Sequence, residues 1–244
     1  MEISFAAEKL GYIGIMPITN SFVTSLLATS TLVLFSFFIS KRLALVPGVL
    51  QNTTELVVDG FRTLTYQIAG ARGGFIFPWF STFFLFIIFS NWLGLLPGFG
   101  TIGLHDHGHF VPLLRTVNSD LNITLALALI SLTLTHFFSI TTLGIKEYVS
   151  RFFSLNPINL FVGILELISE FTKIASLSFR LFGNIFAGEA LIHTIAKLSP
   201  VTAFLVPVPF MVLEVMVGFV QALIFSMLTL VFMVILTTSH STSH

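Results

Sequence analysis

Two apolar runs in the second half of the sequence are too long to be ordinary membrane spans. They cover residues 157–198 and 201–238. A helix of about 40 residues at ~1.5 Å per residue reaches ~60 Å, whereas the hydrocarbon core of a bilayer is ~30 Å thick. No proline lies between Pro157 and Pro200, and Pro157 suits a helix start. The sequence therefore predicts two long, strongly tilted helices, paired as a hairpin and packed against something other than lipid.

Three shorter apolar runs have the length of single membrane spans. They cover residues 19–40, 76–96 and 121–143, each close to the ~20 residues that cross a bilayer. The chain is 55% hydrophobic and 9% charged, with a mean hydropathy of +0.98, whereas a soluble domain carries about 25% charged residues. We therefore expect an all-α integral membrane protein with about five membrane-embedded helices, forming a single membrane domain over residues 1–244 in the lipid bilayer.

The segment between the first two spans has a different pattern. Apolar residues recur in it at helical spacing: Leu56, Val57, Phe61, Leu64 and Ile68. Charged residues lie among them: Glu55, Asp59 and Arg62. This pattern predicts an amphipathic helix over 51–70 in the membrane interface, with a short soluble helix in a loop as the alternative.

The distribution of basic residues predicts the orientation in the membrane. Six lie on the side reached after the first and third spans, and three lie on the other: Lys41, Arg42, Arg62, Arg72, Lys146 and Arg151 against Lys9, Arg115 and Lys197. By the positive-inside rule, the N-terminus lies outside and the C-terminus in the cytoplasm. We expect the membrane to be a bacterial inner membrane, with that of an organelle as the alternative. The first eighteen residues carry no basic n-region, so we expect the first apolar run to be retained.

Composition and motifs exclude several classes of protein. Lys+Arg and Asp+Glu are equal at 11 each, so no net charge favours nucleic acid as a partner. Cysteine is absent, which excludes disulfides, thiolate metal sites and cysteine nucleophiles. The sequence has no Walker-type glycine loop. We therefore expect this chain to bind no nucleotide itself, and no cofactor is expected.

The run 157–198 carries charges that are costly against lipid, about 2.5–3.5 kcal/mol for an arginine at mid-membrane. Glu166, Glu170, Lys173 and Arg180 follow i, i+4, i+7 and i+14 spacing, and Asn184 continues the same stripe. An ionisable residue inside the membrane is a functional candidate that lines protein or water. Glu170 and Lys173 have two further explanations, a local ion pair at i, i+3 or a position near the cytoplasmic headgroups.

Glu189 lies on a different face of the same predicted helix. It follows Arg180 by nine positions, which at ~100° per residue places it ~180° round the helix and ~13 Å further along the axis. The two side chains therefore cannot form a direct salt bridge on a regular helix. Two polar sites on opposite faces and at different depths suit two separate aqueous routes.

The run 201–238 supplies a possible partner for Glu189. Glu214, Gly218 and Gln221 share one face at i, i+4 and i+7, and Gly218 lets a neighbouring helix approach closely. Glu214 could meet Glu189 across the hairpin, where two close carboxylates would share a proton and form part of a proton relay. The alternative is that Glu214 satisfies a buried hydrogen bond.

An arginine at position 180 stays charged at every physiological pH, whereas a lysine could lose its proton in such a place. A permanent positive charge in a proton path repels protons and attracts a passing carboxylate. Arg180 therefore fits a device that moves protons on carriers without letting them run straight through.

A secondary transporter and a membrane-bound metal hydrolase are the rival interpretations. Transporter folds usually show an internal repeat and interrupted helices, and the sequence shows neither. The loop LHDHGHF contains His105, His107 and His109, which could bind Zn²⁺ or Ni²⁺ or form a solvated loop. A hydrolase would need ligands from several helices instead. His136 and His193 are expected to be hydrogen-bonded interior residues rather than proton relays.

Four stretches of the sequence carry a specific family pattern. They are SFRLFGNIFAGEALI, VPVPFMVLEVMVGFVQALIFSMLTLVF, FSNWLGLLPGFG and NSDLNITLALAL. These stretches resemble subunit a of the rotary F-type ATP synthase, the membrane stator beside the c-ring, over most of the chain from about residue 75 onward. The resemblance implies five spans with an interfacial second helix and an outside N-terminus, which agrees with the orientation given by the basic residues.

The resemblance also implies a role for three residues next to the ring. Arg180 matches the arginine that faces the c-subunit carboxylate, Asn184 the asparagine beside it, and Gln221 the glutamine on the partner helix. The implied function is a proton-conducting stator subunit, in which two offset half-channels and the arginine couple proton translocation to c-ring rotation and ATP synthesis. The implied partners are the c-ring, the b-subunit of the peripheral stalk and the remainder of the synthase.

The resemblance also assigns the carboxylates of this chain to the two half-channels. Glu189 and Glu214 fall at the paired polar positions of the outer half-channel, where either residue could titrate. Glu166 matches a carboxylate toward the cytoplasmic exit, and Glu170 lies beside it in the expected proton path. Some bacterial relatives carry an aspartate at the position of Gly94, so no proton role is expected there.

Overall fold

The computed structural model describes residues 8–14, 16–96, 99, 103–106, 109–152, 157–198 and 207–238. Seven α-helices dominate these residues: α1 Asn20–Lys41, α2 Val49–Ala69, α3 Gly73–Gly94, α4 Leu121–Leu143, α5 Ile145–Phe152, α6 Pro157–Leu198 and α7 Pro207–Thr237. Short 3₁₀ turns, Gly70–Arg72 and Val117–Ser119, precede α3 and α4. The prediction of an all-α integral membrane protein is confirmed.

The helix lengths suit a membrane. Four runs are long and apolar enough to cross one: Asn20–Lys41, Val49–Gly94, Leu121–Leu143 and Pro207–Thr237. The longest helix, α6, is a single uninterrupted element of 42 residues, which corresponds to about 63 Å. It lacks an internal proline, so its backbone hydrogen bonds continue past Arg180. The tilt of α6 and α7 in the bilayer stays a prediction.

The last helix starts later than the apolar run that contains it. The run begins at residue 201, whereas α7 begins at Pro207, and residues 201–206 lie outside the described part of the chain. Pro207 and Pro209 occupy the first turn, where a missing backbone N–H leaves no helical hydrogen bond unmade. The two prolines therefore fix where this helix can begin.

Two short β-hairpins were not predicted from the sequence. β1, Lys9–Ile13, pairs antiparallel with β2, Met16–Thr19, and β3, Gly103–Asp106, pairs antiparallel with β4, His109–Pro112. Asn20, the first residue of α1, donates its side-chain amide to the Pro112 carbonyl at 3.3 Å. The hairpins therefore cover the helix ends on the side that the basic residues predict to be outside.

The core lies where α7 packs among α3, α4 and α6. Its largest buried cluster draws on all four helices: Phe83, Phe84, Ile87, Ile88, Ala128, Leu177, Leu181, Ile185, Ala222 and Phe225. Hydroxyl groups reinforce this packing, since Ser131 and Thr229 hydrogen bond at 2.8 Å and Ser139 donates to the Leu236 carbonyl at 2.7 Å. Such interhelical hydrogen bonds are typical of membrane helices.

The amphipathic segment forms α2, which turns into α3 at Gly70. Its backbone φ of 56° lies in the region that favours glycine, and Tyr66 accepts the capping backbone hydrogen bond. Phe61 packs edge-on against Phe80 and Phe84 of α3, with ring centroids 5.6 and 4.8 Å apart, while most of the helix is exposed. The interfacial position of α2 stays a prediction.

Candidate functional site

Arg180 lies on an exposed face of α6. Its Nη2 donates to Ser176 Oγ at 3.0 Å, one turn earlier on the same helix. None of the acidic side chains in the described part of the chain pairs with it. Asn184, one turn later, is also exposed. The guanidinium is therefore presented outward with its charge not neutralised by this chain's described carboxylates.

The surface around Arg180 is built from small residues. Ser176, Gly183 and Ala187 lie within about 60° of Arg180 round the helix, and Ser176 and Ala187 are exposed. Apart from its own turn of helix, a Cβ added at Gly183 would meet no atom of the described residues within 4 Å. Small side chains let a partner helix approach the backbone closely. This face can therefore accept another helix near the guanidinium.

Glu214 on α7 lies against α6 next to Glu189. The Glu214 side chain is 6% exposed, and a Cβ added at Gly188 would lie 2.7 Å from its Oε1. Glu189 is the next residue on α6, and the two carboxylates are close enough for their charges to interact. The Oε2 atoms of both are buried without a hydrogen-bond partner among the described residues. The structure therefore brings together two carboxylates that can take up a proton.

An asparagine pair borders this site and was missed by the sequence reasoning. Asn91 of α3 donates its side-chain amide to the Gly218 carbonyl at 3.3 Å, and Asn118 donates to Asn91 Oδ1 at 2.7 Å. Both side chains are almost completely buried. Gly218 sits one turn from Glu214, and its close contact with Asn91 leaves little room for a side chain. In the sequence, Asn91 stands out as a single asparagine within an apolar run, but its position alone does not show which residue it contacts.

The space beside Gly94 is already filled by another side chain. A Cβ added at Gly94 would collide with the Thr116 side chain, lying 2.7 Å from its Cγ2. Thr116 belongs to the segment that leads into α4. A side chain at position 94 therefore needs a smaller residue at position 116, which is a physical reason for glycine at this place.

The remaining charges of α6 separate into two environments. Glu170 is 6% exposed and accepts from Lys173 Nζ at 2.7 Å, which is the local ion pair that the sequence left as an alternative. Arg180 is exposed, because ten positions place it about 80° from Glu170 round the helix. Glu166 is half-buried, and Gln221 on α7 is buried. The charged residues that were predicted to share one face of α6 are therefore not equally exposed, because α4 packs against part of that face.

His136 on α4 links this ion pair to α5. Its Nε2 lies 3.7 Å from Glu170 Oε2, and its Nδ1 hydrogen bonds with Tyr148 Oη at 3.1 Å. A cavity of about 280 Å³ opens beside these three side chains, with otherwise apolar walls that include Phe152 and Phe171. His136 is therefore hydrogen bonded and half-buried.

The histidine loop gives no metal site in the part of the chain that the structure describes. His105 and His109 lie in β3 and β4, but their side chains, the whole of His107 and the His193 side chain fall outside the described residues. No cluster of three or more metal-binding side chains occurs among the described residues. Metal binding by this loop stays an open alternative.

Comparisons with known proteins give one consistent result. The family model described as "ATP synthase A chain" matches residues 22–234. A protein named "ATP synthase subunit a" from Geotalea daltonii is 33% identical over 210 residues, covering 84% of this chain and 82% of its own length. Proteins of the same name from Syntrophobacter fumaroxidans and Moorella thermoacetica are 34% and 31% identical, covering 79% and 92% of this chain and 74% and 93% of theirs.

Proposed function

Since the chain belongs to the ATP synthase subunit a family and serves a proton-translocating role in that complex, we propose that it provides two offset half-channels separated by Arg180. The proposal makes it the stator against which a c-ring turns, anchored by the b-subunit of the peripheral stalk. It lies in a bacterial inner membrane, with its N-terminus outside and its C-terminus in the cytoplasm.

The carrying observation is the outward-facing, unneutralised guanidinium of Arg180. Within the described chain its hydrogen-bond partner is the neutral Ser176 hydroxyl. A buried or mid-membrane charge needs a counter-charge or water to be stable. An acidic group on a partner helix, the c-subunit carboxylate, meets this need whenever it passes. The small residues Gly183 and Ala187 on the same face leave room for that helix.

The Glu189 and Glu214 carboxylates form the outer half-channel in this proposal. Each has a buried oxygen without a hydrogen-bond partner among the described residues, so each can accept a proton without breaking an existing bond there. Glu189 lies ~13 Å along α6 from Arg180, toward the outside, and about 180° round the helix. A proton on this pair is therefore kept away from the guanidinium until a ring carboxylate collects it.

The opposite half of α6 supplies the exit. Glu170 and Glu166 precede Arg180 by ~15 and ~21 Å along the axis, in the direction of the cytoplasm. Their carboxylates attract a proton released from the ring. The exit and the outer pair lie on opposite sides of Arg180 along one uninterrupted helix, so Arg180 stands between the two routes.

Rotation follows from these three positions. A proton passes Glu214 and Glu189 to a ring carboxylate, which becomes neutral and can turn into the lipid. After nearly a full turn it releases the proton on the exit side, and Arg180 holds the ionised carboxylate between the two steps. Asn184 and Gln221 supply polar groups beside that contact. Each proton contributes about 2.3 kcal/mol per 100 mV, so several are needed for each ATP.

Replacing Arg180 in the complete synthase tests this proposal. In complexes reconstituted into liposomes, Arg180→Ala should abolish ATP-driven proton pumping while the complex still assembles, because its hydrogen bond to Ser176 is exposed and contributes about 1 kcal/mol or less. Arg62→Ala removes an exposed guanidinium from α2 and should leave pumping unchanged. Pumping that survives in an assembled Arg180→Ala complex would contradict the proposal.

A further inference from the structure

Three polar side chains form a chain across α4, α5 and α6 on the exit side of Arg180. Tyr148 Oη is 3.1 Å from His136 Nδ1, and His136 Nε2 is 3.7 Å from Glu170 Oε2. Lys173 holds the other carboxylate oxygen of Glu170 at 2.7 Å. Both imidazole nitrogens therefore face groups that can exchange protons.

Two features distinguish this cluster from a closed structural network. Glu170 Oε2 is buried and makes no hydrogen bond within the described chain, although Oε1 is fully engaged by Lys173. The cavity of about 280 Å³ adjoins the same carboxylate and imidazole. The cavity is large enough to hold water, and His136, Tyr148 and Glu170 are the polar groups of its lining. The separation of 3.7 Å is within ion-pair distance but longer than a hydrogen bond, so the two side chains are close without being bonded.

We propose that His136 is a proton-transferring residue of the exit route, which passes protons from Glu170 toward α5 and the cytoplasmic surface. This inference rests on the proposed function and adds a residue to it. The proton leaves the Glu170 carboxyl and binds His136 Nε2, giving a carboxylate and an imidazolium. The Nδ1 proton then leaves toward Tyr148 and cavity water. Exchange with that water or rotation of the ring restores the starting tautomer.

Histidine suits this step because an imidazole ordinarily takes up and releases protons near neutral pH. Glu170 itself lies in a buried position, since it is only 6% exposed. Lys173 lies on nearly the same face as Arg180, ~10 Å away along α6, and so connects the exposed face with buried Glu170. His136 continues that path on the other side of the carboxylate.

Chemical rescue of His136→Ala tests the inference in the assembled synthase in liposomes. Pumping normalised to assembled complex should fall at least fivefold, and added imidazole should restore most of it. Pyrazole has nearly the same shape but is a far weaker base, so it should not restore pumping. Equal restoration by pyrazole, or an undiminished rate without additive, would overturn the inference in favour of a packing role.

A second variant avoids the empty space that the His136→Ala substitution creates. His136→Gln keeps a hydrogen-bonding side chain toward Tyr148 but cannot carry an extra proton, so it should show a comparable loss in assembled complex. The matched control is Thr133→Ala, an exposed α4 residue that bonds its own helix and should pump normally. A normal rate for His136→Gln would overturn the inference.

Arg180→Ala in the same preparation separates the two proposals. If it abolishes pumping while His136→Gln pumps normally, the relay is wrong and the stator function stands. If Arg180→Ala itself pumps, the proposed function fails, whatever the histidine variants do.

Discussion

Replacing Gly188 with alanine tests whether the position of Glu214 sets the rate of proton transfer. The new Cβ would lie 2.7 Å from Glu214 Oε1 and 2.9 Å from its Cδ. An ordinary contact is about 3.4 Å or longer, so the carboxylate must move by about 0.7 Å. It is the end of a flexible side chain, so the helices can stay in place while the carboxylate turns away from Glu189.

The expected effect is kinetic rather than structural. Turning a side chain about 30° from its rotamer costs roughly 0.5–1.5 kcal/mol, which a folded complex tolerates. A misplacement of about 1 Å at a reacting group can lower a rate about 100-fold. For a shift of about 0.7 Å we therefore expect roughly tenfold slower ATP-driven pumping, equivalent to about 1.4 kcal/mol in the activation barrier.

Two companion variants isolate the cause. Gly60→Ala also changes a helical glycine, but its Cβ would meet nothing within 4 Å, so pumping should stay normal. Glu214→Asp in the Gly188→Ala background shortens the acid by one methylene and makes room, so the double variant should lose less than the two single losses combined. If Gly188→Ala pumps at the normal rate in assembled complex, the close placement of Glu214 has no bearing on proton transfer.

Three further substitutions test the packing around the site. Gly94→Ala forces a Cβ against the Thr116 side chain, so it should lower the melting temperature of the complex. Adding Thr116→Gly should restore the melting temperature. If it does not, the collision is not the cause of the loss. Ser131→Ala and Thr229→Ala, alone and together, should give a coupling free energy of about 0.6 kcal/mol for unfolding. If the losses of stability in the two single variants simply add in the double variant, the 2.8 Å hydrogen bond between these side chains is not stabilising. Gly163→Ala drives a Cβ into a backbone carbonyl at the end of α5, so hydrogen exchange in α5 should rise at least tenfold; unchanged exchange would contradict this packing.

Run length and helical periodicity were enough to predict the six long helices, whereas the eight-residue α5 was not predicted. The spans at 121–143 and 157–198 coincide with α4 and α6, because an apolar helix satisfies its own backbone groups and has no competing structure in a bilayer. Prolines near residue 207 fixed the start of α7. The two hairpins escaped prediction because strands of four or five residues carry too little periodicity.

Helical spacing alone could not predict which charges are buried. Glu170 and Arg180 belong to one broad stripe, yet α4 covers the first and leaves the second exposed. Asn91 and Asn118 are separated by 27 residues and meet only through the packing of α3 against the segment before α4. The proximity of Glu189 and Glu214 was predicted, because two continuous helices paired as a hairpin can bring these side chains together. Their roles in proton transfer stay proposals.

The hydroxyl bonds of α4 have a mechanical consequence for a stator. In the proposed stator, a turning ring would push sideways on α6, and this load would have to pass to the rest of the chain. Thr124 hydrogen bonds with Ser178 of α6 at 3.1 Å, only two residues from Arg180. Further along α4, Ser131 and Ser139 lie about two turns apart and hydrogen bond with α7. Under that proposal, the hydrogen bonds of α4 would distribute the load over α6 and α7, so that the Arg180 guanidinium keeps its position.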